Sequence, residues 1–200
     1  VVTDPHRVGH ESEYHPGEVN LRRASIAIIN KVDTATPAQV NALRANIQAL
    51  NSAAVIIEAR SPVSVDNPDL ITGKTVLIVE DGPTLTHGGM KYGAATVAAN
   101  KFGAGEILDP RPYAVGTIRK TLEQYPHIDS LLPAVGYSAQ QVKDLEETIN
   151  ACRADIVISG TPIDLGRIVK INKPLVRVRY ELEEIGTPSL EEVFNEYLKS

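Results

Sequence analysis

Asn30, Lys31 and Asp33 form an Asn-Lys-x-Asp string inside IAIINKVDTA (26–35). An aspartate carboxylate placed there can accept two hydrogen bonds from guanine, at N1–H and the exocyclic amine. Adenine offers no such pair, and a site that hydrogen-bonds one edge of a base can discriminate by up to ~10⁴-fold. The lysine stem can cover the base plane while the asparagine amide braces neighbouring loops. The string ends an apolar run and precedes a Thr36-Pro37 helix start. It is therefore expected at the carboxyl end of a strand, where open α/β sheets hold their ligands. The other reading of the same residues is a strand-end turn in which Asn30 and Asp33 cap the following helix.

A nucleotide site also needs a phosphate cradle. The one Gly-Lys-Thr, Gly73-Lys74-Thr75, has Pro68 where a phosphate loop needs its first glycine, and it precedes a strand instead of following one. The chain opens VVTDPHRVGHE, with a β-like pair under way and no initiator Met. The expectation is a fragment whose missing amino-terminal half carries the phosphate loop.

The stretch DPHRVGHESEYHPGEVN (4–20) gathers Asp4, His6, Arg7, His10, Glu11, Glu13, His15 and Glu18. Asp4, at a strand's carboxyl end, suits an outer-sphere magnesium contact, and Arg7 suits a phosphate. His6 and His10 could share a metal on a helix, but Gly9, Pro16 and Gly17 argue for a loop without a regular helix. A solvated polar loop is the alternative for any one of these residues.

VEDGPTLTHGGMKYGAATVAANKFG (79–103) reads as strand, turn, glycine-rich loop and a helix begun near Tyr92. Gly88, Gly89 and Gly93 would let backbone amides approach an anion lying at the helix's positive end. His87 and Lys91 add charge, Thr84 and Thr86 add hydroxyls, and Glu80 and Asp81 could hold magnesium. A tight βα turn with no ligand is the alternative. Further polar clusters follow later strands: Asp109 to Tyr113, Gly136-Tyr137, and Gly160 to Asp164. In a parallel sheet, Asp109, Arg111, Thr161 and Asp164 would line one crevice with the glycine-rich loop.

The elements that must position these residues alternate. Apolar runs without strict alternation lie at 25–30, 53–59, 75–80, 105–109, 130–135, 155–160 and 175–182, as expected for strands covered on both faces. Helical segments lie between them. Val40, Leu43, Ile47 and Leu50 form one stripe, Val142, Leu145 and Ile149 another behind a Ser138 cap, and Ser189 caps a terminal amphipathic helix. This pattern predicts an α/β fold with a mainly parallel sheet flanked by helices. Residues 1–60 are expected to be the end of a P-loop NTPase-like domain, 61–74 a linker, and 75–200 a second, carboxy-terminal α/β unit. Both could instead extend one sheet.

Composition narrows the function classes. With 42% hydrophobic and 22% charged residues the chain is ordinary for a globular protein, and its net charge of −5 argues against a nucleic-acid binder. No apolar run approaches the ~20 residues a membrane span needs. The lone Cys152 fits a reducing cytoplasm and reads as a small core residue.

The strings DPHRVGHE, YHPGEVN, INKVDTA, VEDGPTLTHGGMKYGA, DPRPYAVG, LLPAVGYS and GTPIDL together resemble the cyclic 2,3-diphosphoglycerate synthetase family, whose members include predicted GTPases. The resemblance covers nearly the whole chain and matches the family's carboxy-terminal half. It implies a Rossmann-like region and a phosphate loop upstream, dependence on magnesium with ATP or GTP, and closure of 2,3-bisphosphoglycerate into a cyclic phosphoanhydride. Such chemistry needs magnesium and cationic clamps more than a protein nucleophile. His87, Lys91, Arg111 and the amides of Gly88 and Gly89 would then clamp an anionic phosphorylated small molecule, with Thr86 and Thr161 beside them. A homo-oligomer is expected. A regulatory GTPase that reads guanine through Asn30, Lys31 and Asp33, and a non-enzymatic metabolite-binding or oligomerisation module, are the other two readings.

Overall fold

The computed structural model describes residues 1–87, 90–135 and 138–199. The chain opens with β1 (Val2–Thr3), a 3₁₀ turn (Pro5–Arg7), α1 (His10–Glu13) and α2 (Gly17–Arg23), then β2 (Ile26–Ile29), α3 (Pro37–Leu50) and β3 (Val55–Arg60). There follow β4 (Val63–Ser64), β5 (Thr75–Asp81), α4 (Gly82–Thr86), α5 (Ala94–Lys101), β6 (Glu106–Ile107), α6 (Gly116–Gln124) and β7 (Leu132–Ala134). The last part holds α7 (Ala139–Ala151), β8 (Ile156–Ser159), β9 (Leu175–Arg177), β10 (Arg179–Tyr180), β11 (Glu183–Ile185) and α8 (Leu190–Tyr197). This is an α/β protein, mostly parallel, with helices flanking its sheets.

Two compact units divide the chain, Val1–Pro62 with Tyr180–Ser200, and Val63–Arg179. The expectation of a carboxy-terminal unit running to residue 200 differs from this at its end. Residues 183–185 form β11, which pairs antiparallel with β3, and Arg60 donates to Glu183 at 2.8 Å. The expected linker 61–74 differs as well. Val63 and Ile71 are buried in the core of the second unit, so most of that segment is structure, not tether.

In the first unit the sheet order is β1-β2-β3-β11, with β1, β2 and β3 parallel. Parallel pairing explains why Ala27, Ile28 and Ile29 read as an unbroken apolar run, since all three are buried. α3 covers one face through Val40, Leu43 and Ile47, and α8 the other through Val193. The segment 4–20 is more regular than its glycines and prolines suggest. α1 fits between Gly9 and Pro16, and α2 starts at Gly17 itself. His6 sits in the preceding 3₁₀ turn, so His6 and His10 do not share a helix.

The second unit holds a parallel sheet centred on β5. β8 and then β9 lie on one side of it, and β6 and β7 lie on the other. Val76, Leu77, Ile78 and Val79 are fully buried, as a central strand with helices on both faces requires. Cys152 lies at the end of α7 in this core, where burial pushes its thiol up to about 11. Among the described residues no helix is long and apolar enough to cross a membrane.

Candidate functional site

The Asn-Lys-x-Asp loop leaves the carboxyl end of β2, beside the loop that leaves β1. The two neighbouring strands, β1 and β3, hold it. Asn30 N–H donates to the Thr3 carbonyl at 3.0 Å and Val32 N–H to the Ala59 carbonyl at 3.2 Å, while Ser61 N–H donates to Asp33 Oδ1 at 3.3 Å. Lys31 has φ +62°, the one positive φ outside glycine among the described residues. A lysine in this region is held at some cost, and such outliers concentrate at functional loops. Its ammonium reaches Asp4 Oδ2 at 2.7 Å, tying the two strand-end loops together.

The capping alternative does not hold. α3 is capped by Thr36, whose hydroxyl accepts from Gln39 N–H while the Gln39 side chain accepts from Thr36 N–H. With that duty discharged locally, Asp33 stays exposed and engaged by one long hydrogen bond. Asn30 Oδ1 is buried without a partner among the described residues. Buried acceptors are nearly always satisfied in folded proteins, so this one is a reason to expect a further group there.

Asp4 is less open to magnesium than its position suggests. Its Oδ1 accepts from His6 N–H at 3.0 Å, and Lys31 already occupies Oδ2. His6 and Thr34 meet across the two loops at 3.0 Å. Arg7 lies on the same 3₁₀ turn, with its Nε buried and without a hydrogen-bond partner among the described residues.

In the second unit the strand ends converge as the parallel topology requires, but their side chains are spoken for. Glu80 is not aimed at solvent. The residue is 2% exposed and its carboxylate turns back under α5, where Oε1 accepts from Thr96 N–H at 2.8 Å and from the Thr96 hydroxyl at 3.0 Å. Burial raises its pKa above the usual carboxylate range, with the Thr96 hydrogen bonds and the Ala95 and Gly93 amides opposing that rise. The position is the switch point between β5 and β8, where folds of this kind commonly bind ligands. Here the anion at the start of α5 is the protein's own.

The glycine-rich segment differs from its expected layout too. α4 intervenes directly after β5, so the glycines follow a short helix and α5 begins at Ala94. Asp81 caps α4 through Thr84 N–H at 3.2 Å and the Thr84 hydroxyl at 2.7 Å, not a metal. Thr86 donates to the Gly82 carbonyl at 2.9 Å and its hydroxyl lies 2.9 Å from His87 Nδ1. Lys91 is exposed. The expected amide donors Gly88 and Gly89, and the Gly136-Tyr137 pair, lie outside the described residues.

Arg111 is not an open clamp. It reaches Asp109 at 2.8 Å and Asp129 at 3.1 Å, and the Arg111 hydrogen bond pulls the Asp109 carboxyl below its ordinary range. Thr161 is buried and donates to the Ile163 carbonyl at 2.8 Å, while Asp164 pairs with Arg167 at 3.2 Å. Among the described residues, no three His, Cys, Asp or Glu side chains are grouped to hold a metal.

A second buried carboxylate of this unit escaped the sequence reading. Asp144 on α7, 4% exposed, accepts from Thr117 N–H at 2.7 Å, the Thr117 hydroxyl at 2.8 Å and Gln140 at 2.7 Å. These donors, Thr117 first, pull its pKa down. It does for α6 what Glu80 does for α5.

No protein-family model matches the chain. Over all 200 residues it is 62% identical to a protein of Thermococcus kodakarensis named arginine synthetase ArcE. The match covers 45% of that protein, so the chain spans less than half the length of this curated relative.

Proposed function

We propose that the chain is part of a nucleotide-dependent synthetase, a ligase that couples cleavage of a nucleoside triphosphate to bond formation. The observation that carries this reading is the pairing of two loops at adjoining parallel strand ends. The Asn30-Lys31-Val32-Asp33 loop and the Asp4 loop are joined by Lys31, and Asp33 stays exposed beside them. In this reading Asp33 meets the base edge and Lys31 covers the base. Magnesium would enter with the triphosphate, Asp4 contributing through water when Lys31 releases it. The name of the 62% identical relative supports a synthetase independently.

Arginine, the product in that relative's name, is the first candidate for the product here. Cyclisation of 2,3-bisphosphoglycerate, suggested by the motif strings, is the second. The second unit favours the first candidate. A highly anionic substrate would need the clamp of His87, Lys91 and Arg111, yet Arg111 is held by two aspartates and Glu80 fills the α5 start.

The test uses the full-length protein with magnesium and phosphorus NMR. One arm supplies arginine, phosphate and ADP or GDP, and looks for nucleoside triphosphate made in reverse. The other supplies 2,3-bisphosphoglycerate with ATP or GTP, and looks for a cyclic pyrophosphate-like signal. Triphosphate formed only with arginine supports the first product, and the cyclic signal would replace it with the second. GTP hydrolysis with neither reaction would overturn the ligase in favour of a regulatory GTPase.

A further inference from the structure

We infer that His6 is a positioning residue for the base-reading loop, acting through the hydroxyl of Thr34. Lys31 to Thr34 form a tight turn, closed by Thr34 N–H donating to the Lys31 carbonyl at 3.2 Å. Val32 and Asp33 are its central residues, so the shape of this turn decides where the Asp33 carboxylate stands. The Thr34 hydroxyl donates to the same carbonyl, also at 3.2 Å. A hydroxyl has one hydrogen, and this one is committed to Lys31. His6 Nε2 lies 3.0 Å from the Thr34 oxygen, so it must be the donor in that contact and carry a hydrogen.

The turn is strained at its first residue, since Lys31 has φ +62°. A residue in that region persists only where its surroundings fix it. The Lys31 ammonium is held by Asp4 at 2.7 Å, and its carbonyl by Thr34, which His6 backs. Both braces come from one short segment. Asp4 Oδ1 accepts from His6 N–H at 3.0 Å, and Arg7 N–H closes the 3₁₀ turn on the Asp4 carbonyl at 2.9 Å. Pro5 fixes the backbone between Asp4 and His6. Side chain and main chain of Lys31 are thus gripped together from the loop after β1. Thr34 is exposed and His6 half-buried, so the brace has the strength of one ordinary hydrogen bond.

The inference rests on the proposed nucleotide reading and deepens it. His6 touches no base in it. The residue acts through Thr34 on the turn that carries Lys31 and Asp33.

The test is binding of a fluorescent GTP analogue to the full-length protein, with circular dichroism to establish that each variant folds. His6→Phe keeps a ring but offers no donor, and should weaken binding about two- to tenfold, the range of one hydrogen bond. His6→Gln restores an N–H near the Nε2 position and should bind within about twofold of the parent. In a Thr34→Val background, His6→Phe should cost nothing further, because the group it acts through is gone. Equal losses in His6→Phe and His6→Gln would assign the effect to ring shape and overturn the inference. Additive losses in the double variant, or His6→Phe binding like the parent, would overturn it too and leave the nucleotide reading standing. A parent that binds neither GTP nor ATP would overturn the nucleotide reading, and the positioning role with it. Nitrogen-15 spectra of the His6 ring judge the contact without any nucleotide. A hydrogen on Nε2 is expected, and a ring carrying one only on Nδ1 would overturn the brace itself.

Discussion

Glu80 and Thr96 are joined twice, through the backbone N–H at 2.8 Å and the hydroxyl at 3.0 Å, so the start of α5 is closed by a carboxylate from the middle of the sheet. A glutamate at the switch point of a parallel sheet invites assignment as a ligand for metal or substrate. The hydrogen bonds assign it inward instead. Burial still outweighs those donors, and the group holds its proton above the ordinary glutamate range.

A stability signature follows from that direction. A carboxyl whose folded pKa is raised favours the folded state below its unfolded value, near 4.3, and loses that contribution as pH rises through the folded pKa. Glu80 should therefore make the second unit less stable as pH climbs from about 4 into the range above it. Glu80→Gln cannot ionise and should remove this slope. Denaturant midpoints taken from acid to neutral pH, parent against variant, check the point. Parallel curves would mean that Glu80 does not titrate in the buried state described. Asp144, pulled down by Thr117, should act in a different window, its contribution being lost as pH falls below the usual aspartate value.

Gly93 and Gly160 test the same carboxylate by shape. A Cβ at either would strike Glu80 Oε2, and one at Gly160 would also come within 2.7 Å of the Ala95 backbone nitrogen. Gly93→Ala and Gly160→Ala should each destabilise the second unit by about 1–3 kcal/mol, the usual cost of overpacking. The second-site change Glu80→Ala separates them. It should recover most of the loss at Gly93, where the three nearest atoms all belong to Glu80, and little at Gly160, where backbone remains in the way. Equal recovery at both would show that the Ala95 backbone moves aside.

Helix starts show what the sequence made legible and what it hid. α3, α7 and α8 carry their own caps, Thr36, Ser138 and Ser189, each in a reciprocal box with Gln39, Gln141 and Glu192. All three were readable from local residue order, because the satisfying oxygen lies three residues from the amide it serves. α5 and α6 begin behind Gly93 and Val115, which bring no side-chain acceptor. Their amides had to find one elsewhere, and Glu80 and Asp144 come from 16 and 27 residues away in sequence. A missing cap was the available signal, but it names no partner. The buried strands were legible for a similar reason: β5 and β8 are apolar on both faces, so three or more apolar residues in a row report their burial. β11 was not, since Glu183 and Glu184 look like loop and are paired only through β3. The base-reading loop stood out by its letters. Its tie to Asp4, on a loop 27 residues away, did not.

Asp33 and Lys31 carry the nucleotide reading, and their environments let function be separated from stability. Asp33 is exposed and engaged by Ser61 N–H at 3.3 Å, so Asp33→Asn should change stability by less than about 1 kcal/mol. If the carboxylate reads guanine, the same substitution should lower the preference for GTP over ATP on the order of a hundredfold or more in the full-length protein. Lys31 and Asp4 are partly exposed at 40% and 21%, a class of ion pair worth about 0–1 kcal/mol, so Lys31→Ala should also leave the fold intact. It should weaken both nucleotides together, because a stem covering the base plane does not distinguish one purine edge from another. Competition binding with a fluorescent GTP analogue reads both effects. Unchanged selectivity in Asp33→Asn would remove the string as a base reader. An effect confined to GTP in Lys31→Ala would move the discrimination from the carboxylate to the lysine.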